Sequence, residues 1–321
     1  MSVPVGEWTT REEFLALRSK GLGGSDAAAI CGESPWGTAL SVWDEKVNGT
    51  VKDLGGNEEA ARWGQLLEPV VMNEWGVRNA PRFMVQSNWT YRDDHDEFLL
   101  ANPDAEVYDD TTDVNHPSGG GEVKTANAVK GSEWDEGVPD YYKLQGFHYM
   151  MVMGWPWIEF ACLVGGQRFV QHTLYADEEI QAHLRELETR FWYDHVLTKI
   201  PPAPSGKKAD KETLARIHRA VHGETLEADD QLANDIAALQ YLKERSKEGV
   251  DEYELLDQRV RAAIGTAECV TDSTGRVLAT FKVSRVGRVD TKALLARYPR
   301  VGEKFKVYSE QRRLLIKVGG H

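Results

Sequence analysis

Two short polar runs in the middle of the chain combine residue types that can hold a divalent metal beside a phosphodiester. The runs are Asn102-Pro103-Asp104, which follows an apolar segment, and Glu122-Val123-Lys124, on another predicted strand. Because side chains alternate along a strand, Glu122 and Lys124 point to one face. Mg²⁺ prefers oxygen ligands and keeps water molecules, one of which can serve as the nucleophile. The lysine can orient or deprotonate that water and offset negative charge in the transition state.

A third carboxylate, that of Glu68, lies on a predicted helix before these strands and could serve a second metal. Each motif alone is weakly specific. A strand with Glu and Lys two residues apart usually has a solvated face, and Pro-Asp alone is a turn signal. The order of helix, strand and strand favours the catalytic interpretation over these alternatives.

A candidate anion site lies nearer the N-terminus, where Gly23-Gly24-Ser25-Asp26 begins a short predicted helix. Free backbone N–H groups and a hydroxyl can bind an anion there. Arg18 lies one segment earlier and could close over a terminal phosphate. The alternative is that Ser25 only caps the helix. Trp36, in the following loop, is the candidate for stacking on a DNA end, although a tryptophan is more often buried.

The elements that must position these residues follow the order helix, three strands, helix, strand. This order predicts an α+β fold around a mixed sheet. A predicted capping box at Thr10 and Glu13 begins the first helix, and Asn57 is the predicted cap of the helix that carries Glu68. Pro69 predicts a kink directly after Glu68. The predicted helices include 11–19, 141–153 and 177–199, and the predicted strands are 83–91, 98–108, 121–125, 157–164 and 168–174.

The clearest boundary is the proline-rich stretch 201–206, which separates residues 1–200 from a C-terminal module, 207–321, of helices and β-hairpins. The chain has a formal net charge of −13, but residues 276–317 contain 12 Lys or Arg and 3 Asp or Glu, a net of +9. Residues 1–204 have a net charge of −17. We therefore expect the basic part of the module to guide DNA or to bind a partner. The first candidates are Arg285, Arg288, Arg312 and Arg313.

Several classes of protein are disfavoured by composition. The three cysteines form no CxxC pair, and no P-loop indicates ATP hydrolysis. No apolar run reaches the ~18–20 residues of a membrane span, and the N-terminus lacks a signal pattern. We therefore expect a cytoplasmic protein that binds no membrane.

The chain resembles the YqaJ-like viral recombinases, the group that includes the phage lambda exonuclease, within the PD-(D/E)xK nuclease superfamily. The resemblance covers most of residues 10–200 in the family's order. It implies a restriction-endonuclease-like core, with a central mixed sheet flanked by helices, to which the C-terminal α+β module beyond the proline-rich boundary is appended. The matching segments are GLGGSDAAAICGESPWGTALSVWDEK (21–46), WGQLLEP (63–69), NWTYRDDHDEFLLANPDAEV (88–107), GEVKTAN (121–127) and YYKLQGFHYMMVMG (141–154).

The resemblance implies a metal site. Asp104 and Glu122 would be metal ligands, with the backbone carbonyl of Val123 completing a site. Glu68 would be a further acidic ligand or would organise the ligands. Lys124 would activate the water.

Further roles follow from the same resemblance. Gln145 matches the family's motif glutamine near the lysine, and Arg18 and Ser25 match an Arg and a Ser seven residues apart that grip the 5′-phosphate. Two positions depart from the pattern. Ala105 stands where the family usually has Gly, and Phe147 where it often has a second glutamine. Neither departure removes a ligand.

The function that the resemblance implies is a Mg²⁺-dependent 5′-to-3′ exonuclease on double-stranded DNA ends. It would use two Mg²⁺ ions, which Mn²⁺ could replace, and leave 3′ overhangs for a single-strand annealing protein. It would be phage- or prophage-encoded and act in a bacterial cytoplasm, and some relatives form homo-oligomeric rings. The alternatives are a structure-specific DNA endonuclease of the same superfamily and a catalytically silent DNA-end-binding protein.

Overall fold

The computed structural model describes residues 2–50, 58–109, 116–218, 221, 223–244, 250–289 and 306–316. The chain divides into two compact units, Met1–Pro202 and Ala203–His321. The division falls within the proline-rich stretch. Among the helices of these residues, none is long and apolar enough to cross a membrane.

The first unit combines helices with two sheets. Its helices are α1 (Arg11–Arg18), α2 (Gly24–Ile30), α3 (Ala39–Asn48), α4 (Glu58–Asn79), α5 (Asp140–Met153) and α6 (Glu178–Phe191). Its strands are β1 (Val3–Glu7), β2 (Leu22–Gly23), β3 (Phe83–Gln86), β4 (Trp89–Arg92), β5 (Leu99–Ala101), β6 (Ala105–Tyr108), β7 (Gly119–Ala126), β8 (Trp157–Val164) and β9 (Arg168–Tyr175). The predicted mixed α+β class is confirmed.

A five-stranded sheet in the order β3-β6-β7-β8-β9 forms the centre of this unit. Only β7 and β8 run parallel, so the sheet is mixed. One face packs on α4, where Trp75 meets Val123 and Ala161 in a buried cluster. The opposite face packs on α5, and Gly146 permits this close approach, because a Cβ there would lie 3.0 Å from the Phe160 ring. Helices therefore cover both faces, as the family resemblance implies.

Two predicted strands are wrong in extent, because each is split between the central sheet and a second sheet of order β1-β4-β5-β2. The predicted strand 83–91 forms β3 and β4, and the predicted strand 98–108 forms β5 and β6. Pro103 has no N–H group to continue a ladder, which favours a break at that point. Asp104 therefore lies between two strands and not at the end of a single strand.

Three helices bear on the predictions. In α1, the Thr10 hydroxyl accepts a 3.2 Å hydrogen bond from the Glu13 N–H, which confirms the capping box. The helix α4 continues through Pro69 to Asn79, and the predicted cap Asn57 lies outside the described residues. The predicted helix 177–199 is too long, since α6 ends at Phe191 and a π-helical turn follows.

The second unit contains α7 (Lys208–Ile217), α8 (Asp230–Glu244) and α9 (Val250–Ile264), with strands β10 (Thr225–Glu227), β11 (Cys269–Thr271), β12 (Val277–Val289) and β13 (Lys306–Ile316). The strands form one sheet in this order. Its core includes Ile236, Leu239 and Val260, all at most 1% exposed. The strands β11 and β12 pair antiparallel across Asp272-Ser273-Thr274-Gly275, a hairpin of the kind that the sequence predicts for this module.

Candidate active site

The two central carboxylates come from neighbouring strands. Ala105 pairs with Gly121 in the antiparallel ladder of β6 and β7, and continuing that register by one residue sets Asp104 opposite Glu122. The Val123 N–H donates a 2.8 Å hydrogen bond to Oδ2 of Asp104. The strand break before β6 thus holds one acid beside the other.

Glu122 also receives two polar side chains at one of its oxygens. Lys124 Nζ and Gln145 Nε2 each lie 2.5 Å from Oε1 of Glu122. The lysine comes from the same face of β7, as predicted, while the glutamine comes from α5. On its other side, the Lys124 ammonium lies 4.8 Å from the centre of the Tyr142 ring, in cation–π range. The structure therefore brings Gln145 to the predicted acid and lysine.

Glu68 lies on α4, the helix on the opposite face of the sheet, and interacts electrostatically with Asp104 and Lys124. Its side chain is half-buried, and the Gln86 amide lies 3.5 Å from Oε1. Burial, together with the negative charge of Asp104, raises the pKa of Glu68 to about 7, while Lys124 opposes this shift. All three predicted acids thus share one electrostatic environment.

The other charged residues of the site shift one another's pKa values. Burial and the charge of Asp104 raise the pKa of Glu122 to about 8, and burial raises the pKa of Asp104. Burial alone would lower the pKa of Lys124, but the charges of Glu122 and Asp104 raise it overall. Three acids therefore face one ammonium group, and a cation would relieve this imbalance of charge.

The donors of this group suit a hard divalent cation. Oε2 of Glu122 is buried and has no hydrogen-bond partner among the described residues. Carboxylate oxygens are the ligands that Mg²⁺ prefers. No group of three or more His, Cys, Asp or Glu side chains in those residues already stands at metal-binding spacing. The oxygen of Glu122 that has no partner in this part of the chain, close to the charge of Asp104, nevertheless fits a divalent ion.

The predicted phosphate-binding residues lie at α1 and α2. Arg18 Nη2 lies 2.6 Å from Oδ1 of Asp26 and 3.5 Å from Glu45, and Asp26 foremost raises the pKa of the guanidinium. Asp26 is buried and also receives Nζ of Lys46 at 3.0 Å. These contacts hold the guanidinium in one orientation. Ser25 is exposed in the first turn of α2.

The start of α2 packs directly on the α5 residues that reach the carboxylates. A Cβ on Gly24 would lie 2.7 Å from the Tyr149 ring and 3.0 Å from Cγ of Gln145, so the position requires glycine. Because Gln145 also touches Glu122, the segment with Ser25 and the carboxylates share α5 as a neighbour. The structure thus brings the two predicted sites to the same helix.

Trp36 belongs to an aromatic cluster beside the lysine. Its side chain is 49% exposed and makes an edge contact with Tyr141, with 5.0 Å between ring centres. It also lies 5.7 Å from Tyr142, the ring beneath Lys124. Sequence reasoning missed Tyr142 and Asp26, although both lie inside segments that resemble the family. The only sequence signal for Asp26 was its place in the run Gly23-Gly24-Ser25-Asp26.

An acid at a strand break, an acid and a lysine two apart on the next strand, and helices on both sheet faces form the arrangement that the resemblance to PD-(D/E)xK nucleases implies. A family model described as the YqaJ-like viral recombinase domain matches residues 13–156. The chain is also 33% identical over 314 residues to the uncharacterized protein YqaJ of Bacillus subtilis (strain 168). That match spans 96% of this chain and 94% of the relative. The chain belongs to the YqaJ-like viral recombinase family, and the predicted resemblance is confirmed.

Two solved structures show a more distant similarity. An alkaline exonuclease, LHK-Exo, from Laribacter hongkongensis is 16% identical with a TM-score of 0.48, covering 59% of this chain and 94% of that one. A phage related exonuclease from Haemophilus somnus 129PT is 13% identical with a TM-score of 0.40, covering 58% and 99% respectively.

Proposed function

We propose that the protein is a divalent-metal-dependent exonuclease that degrades one strand of duplex DNA from its 5′ end. The proposed product carries a 3′ single-stranded overhang for recombination by strand annealing. The observation that carries this proposal is the meeting of Asp104, Glu122 and Lys124, in which one buried oxygen of Glu122 has no partner within the described part of the chain. Membership in a family of viral recombinases supports the same function.

The proposed cofactor is Mg²⁺, with Mn²⁺ as a substitute. Asp104 and Glu122 would hold one ion, together with the Val123 carbonyl, and Glu68 would serve a second. When bound, such ions polarise the phosphate, lower the pKa of a water molecule and stabilise charge on the attacking and leaving oxygens.

The protein's own side chains have separate proposed roles in this reaction. Gln145 holds Oε1 of Glu122, which would leave Oε2 available to bind the proposed metal. The Lys124 ammonium is placed to orient the attacking water and to offset charge on the phosphate. The pKa of Lys124 is raised in the metal-free site, so there it is a donor and not a base.

The direction of degradation is proposed to come from Arg18 and Ser25. Arg18 is fixed by Asp26 and keeps donors of its planar fork for a terminal phosphate, while the Ser25 hydroxyl is exposed. Gly24 brings this segment against Gln145, beside the carboxylates. A bound 5′ end would then present its first phosphodiester to the metal site.

The proposed surroundings follow from the family and the charge pattern. The substrate is a double-stranded DNA end, and the product would pass to a single-strand annealing protein. The basic part of the second unit is proposed to attract duplex, since the first 204 residues have a net charge of −17. The protein is also proposed to form a homo-oligomer, to be encoded by a phage or prophage, and to act in the bacterial cytoplasm.

One digestion experiment distinguishes the proposal from its alternatives. Linear duplexes with 5′-phosphate or 5′-hydroxyl ends, and a covalently closed circle, are incubated with and without Mg²⁺. We expect metal-dependent release of nucleotides from the linear 5′-phosphorylated strand and an intact circle. Cleavage of the circle would indicate an endonuclease. Binding to ends without cleavage in either Mg²⁺ or Mn²⁺ would indicate a silent end-binding protein.

A further inference from the structure

Helix α5 holds the chain that leads into Asp104 at two carbonyl groups. Nε2 of His148 lies 2.8 Å from the carbonyl oxygen of Leu100, and the Tyr149 hydroxyl donates a 3.0 Å hydrogen bond to the carbonyl of Asn102. Because a carbonyl can only accept, Nε2 carries the proton. Asn102 is separated from Asp104 by Pro103 alone, so these bonds fix where the acid enters the site.

The same helix also holds the second acid. Gln145, about one turn before Tyr149, donates from Nε2 to Oε1 of Glu122 at 2.5 Å. The same Nε2 lies 3.3 Å from the Tyr149 hydroxyl, which joins the two contacts. One rigid helix therefore spans the segments that supply both carboxylates, and its position sets their separation.

A buried pair fixes the histidine in turn. Nδ1 of His148 lies 2.8 and 3.0 Å from the two carboxylate oxygens of Glu188 on α6, and both side chains are fully buried. Burying such a pair is costly, and well-packed apolar residues in its place are often neutral or stabilising. What the pair supplies is orientation. With Glu188 at Nδ1, the ring presents its Nε2–H to Leu100.

We propose that His148, Glu188 and Tyr149 are positioning residues that set the separation of Asp104 and Glu122 and hence the affinity for the divalent ion. This inference rests on the proposed function, because it assigns a metal to the two acids. None of the three residues touches the reacting atoms. Outer partners of metal ligands commonly change metal affinity about 10–100-fold when they are removed.

The test uses the full chain with four variants. Tyr149→Phe removes one hydroxyl, and Glu188→Leu removes the partner of Nδ1. Glu188→Gln is the conservative variant, because its amide can donate to Nδ1 while Nε2–H still reaches Leu100. Leu184→Ala is the control, since Leu184 is buried on the same helix as Glu188 but makes none of these hydrogen bonds.

The readouts are Mn²⁺ binding without DNA, measured as the loss of the free-ion EPR signal, and the melting temperature of each variant. We expect Tyr149→Phe and Glu188→Leu to bind Mn²⁺ at least about tenfold more weakly. The Mn²⁺ affinity of Glu188→Gln should stay within about threefold of wild type. This loss is smaller than the roughly 10–100-fold that follows removal of an outer partner, because the amide keeps a hydrogen bond to Nδ1. Leu184→Ala should melt earlier with unchanged Mn²⁺ affinity. If Glu188→Leu does not fold, Tyr149→Phe decides the question.

Two outcomes would overturn the inference. The inference fails if Tyr149→Phe binds Mn²⁺ with wild-type affinity. It also fails if the control Leu184→Ala loses as much Mn²⁺ affinity as Tyr149→Phe does. The same wild-type protein is assayed on linear duplex. If it binds no Mn²⁺ and cuts no DNA, the proposed function fails. If it binds and cuts while Tyr149→Phe binds Mn²⁺ equally well, only the positioning role fails.

Discussion

Nζ of Lys124 lies 2.5 Å from Oε1 of Glu122, two residues earlier on the same strand, and faces the Tyr142 ring. This pairing joins the positive charge of the site to one of its proposed metal ligands. The role of this charge can be tested separately from metal binding, because Lys124 can be replaced while every carboxylate remains.

Lys124→Ala is expected to slow cleavage by about 10²–10⁴-fold, the scale on which a positioned side chain assists proton transfer or stabilises charge in the transition state. Lys124→Arg should rescue poorly, because a planar guanidinium cannot replace a compact ammonium group. Single-turnover digestion at saturating Mg²⁺ measures both. Lys143→Ala, at a surface lysine paired with Asp140, is the control and should match wild type. A fully active Arg variant would show that charge alone suffices.

Arg18→Ala and Ser25→Ala are expected to reduce the preference for 5′-phosphorylated over 5′-hydroxyl ends by about tenfold or more, since a charge-assisted hydrogen bond contributes about 1.5–3 kcal/mol. The measurement is the ratio of initial rates on the two substrates. Lys20→Ala, at an exposed neighbouring cation, should leave the ratio unchanged. An equal loss on both substrates would instead assign Arg18 and Ser25 a role in folding.

The raised pKa of Glu122 predicts how stability depends on pH. Burial and Asp104 raise this pKa from 4.5 to about 8. Between these values the unfolded carboxyl ionises while the folded one keeps its proton, so the free energy of unfolding falls as pH rises. This loss begins near the unfolded value and is complete above the folded one.

Thermal unfolding of the metal-free protein across that pH range tests this prediction. Glu122→Gln has no proton to lose there, so its stability should fall less than that of wild type. We expect a difference of at least about 1.4 kcal/mol, the equivalent of one pKa unit. Added Mg²⁺ should restore the stability of the wild-type protein at pH 8, but it should not restore that of Glu122→Gln. Parallel pH curves for the two proteins would contradict the assignment.

The basic C-terminal stretch is expected to attract duplex through phosphate contacts. The side chains of Arg285, Arg288, Arg312 and Arg313 lie outside the described residues, and their role stays a prediction from sequence. Replacing all four by Gln should weaken binding and make the slope of log affinity against log salt shallower by up to about 3–4, at ~0.9 per contact. Fluorescence anisotropy in Ca²⁺ measures this slope. Exposed Lys208, replaced by Gln, is the control.

An unchanged affinity and salt slope in the four-arginine variant would rule out DNA guidance by these residues. Recognition of another protein would then be the better explanation of the charge. Cleavage at low salt should persist in either case, because the carboxylates and the lysine remain in place.

Much of the site could be predicted because its residues are close in sequence. Two-residue periodicity places Glu122 and Lys124 on one strand face, and helical spacing places Glu68 on α4. The break at Asp104 was missed because an apolar run continues on both sides of it. Local periodicity cannot show that Leu99–Ala101 and Ala105–Tyr108 pair in different sheets.

The supporting contacts could not be predicted for a different reason. His148 and Glu188 are 40 residues apart, and each alone has the character of an ordinary helical residue. In the sequence, Asp26 is typical of a residue at the start of a helix. Its contacts with Arg18 and Lys46 form only when the chain folds. Pairings of this kind depend on tertiary packing, which no local pattern encodes.

The most direct test of the central claim is digestion of a linear 5′-phosphorylated duplex by wild type, Asp104→Ala and Glu122→Ala in Mg²⁺. Asp109→Ala, which removes an exposed acid paired with Arg82, is the matched control. Each site variant loses an oxygen ligand of the proposed metal, so we expect cleavage to be abolished while the circular dichroism spectrum is unchanged. The control should digest like wild type, and Ca²⁺ should support binding with little cleavage. A wild-type rate in either site variant would contradict the proposed metal-dependent nuclease.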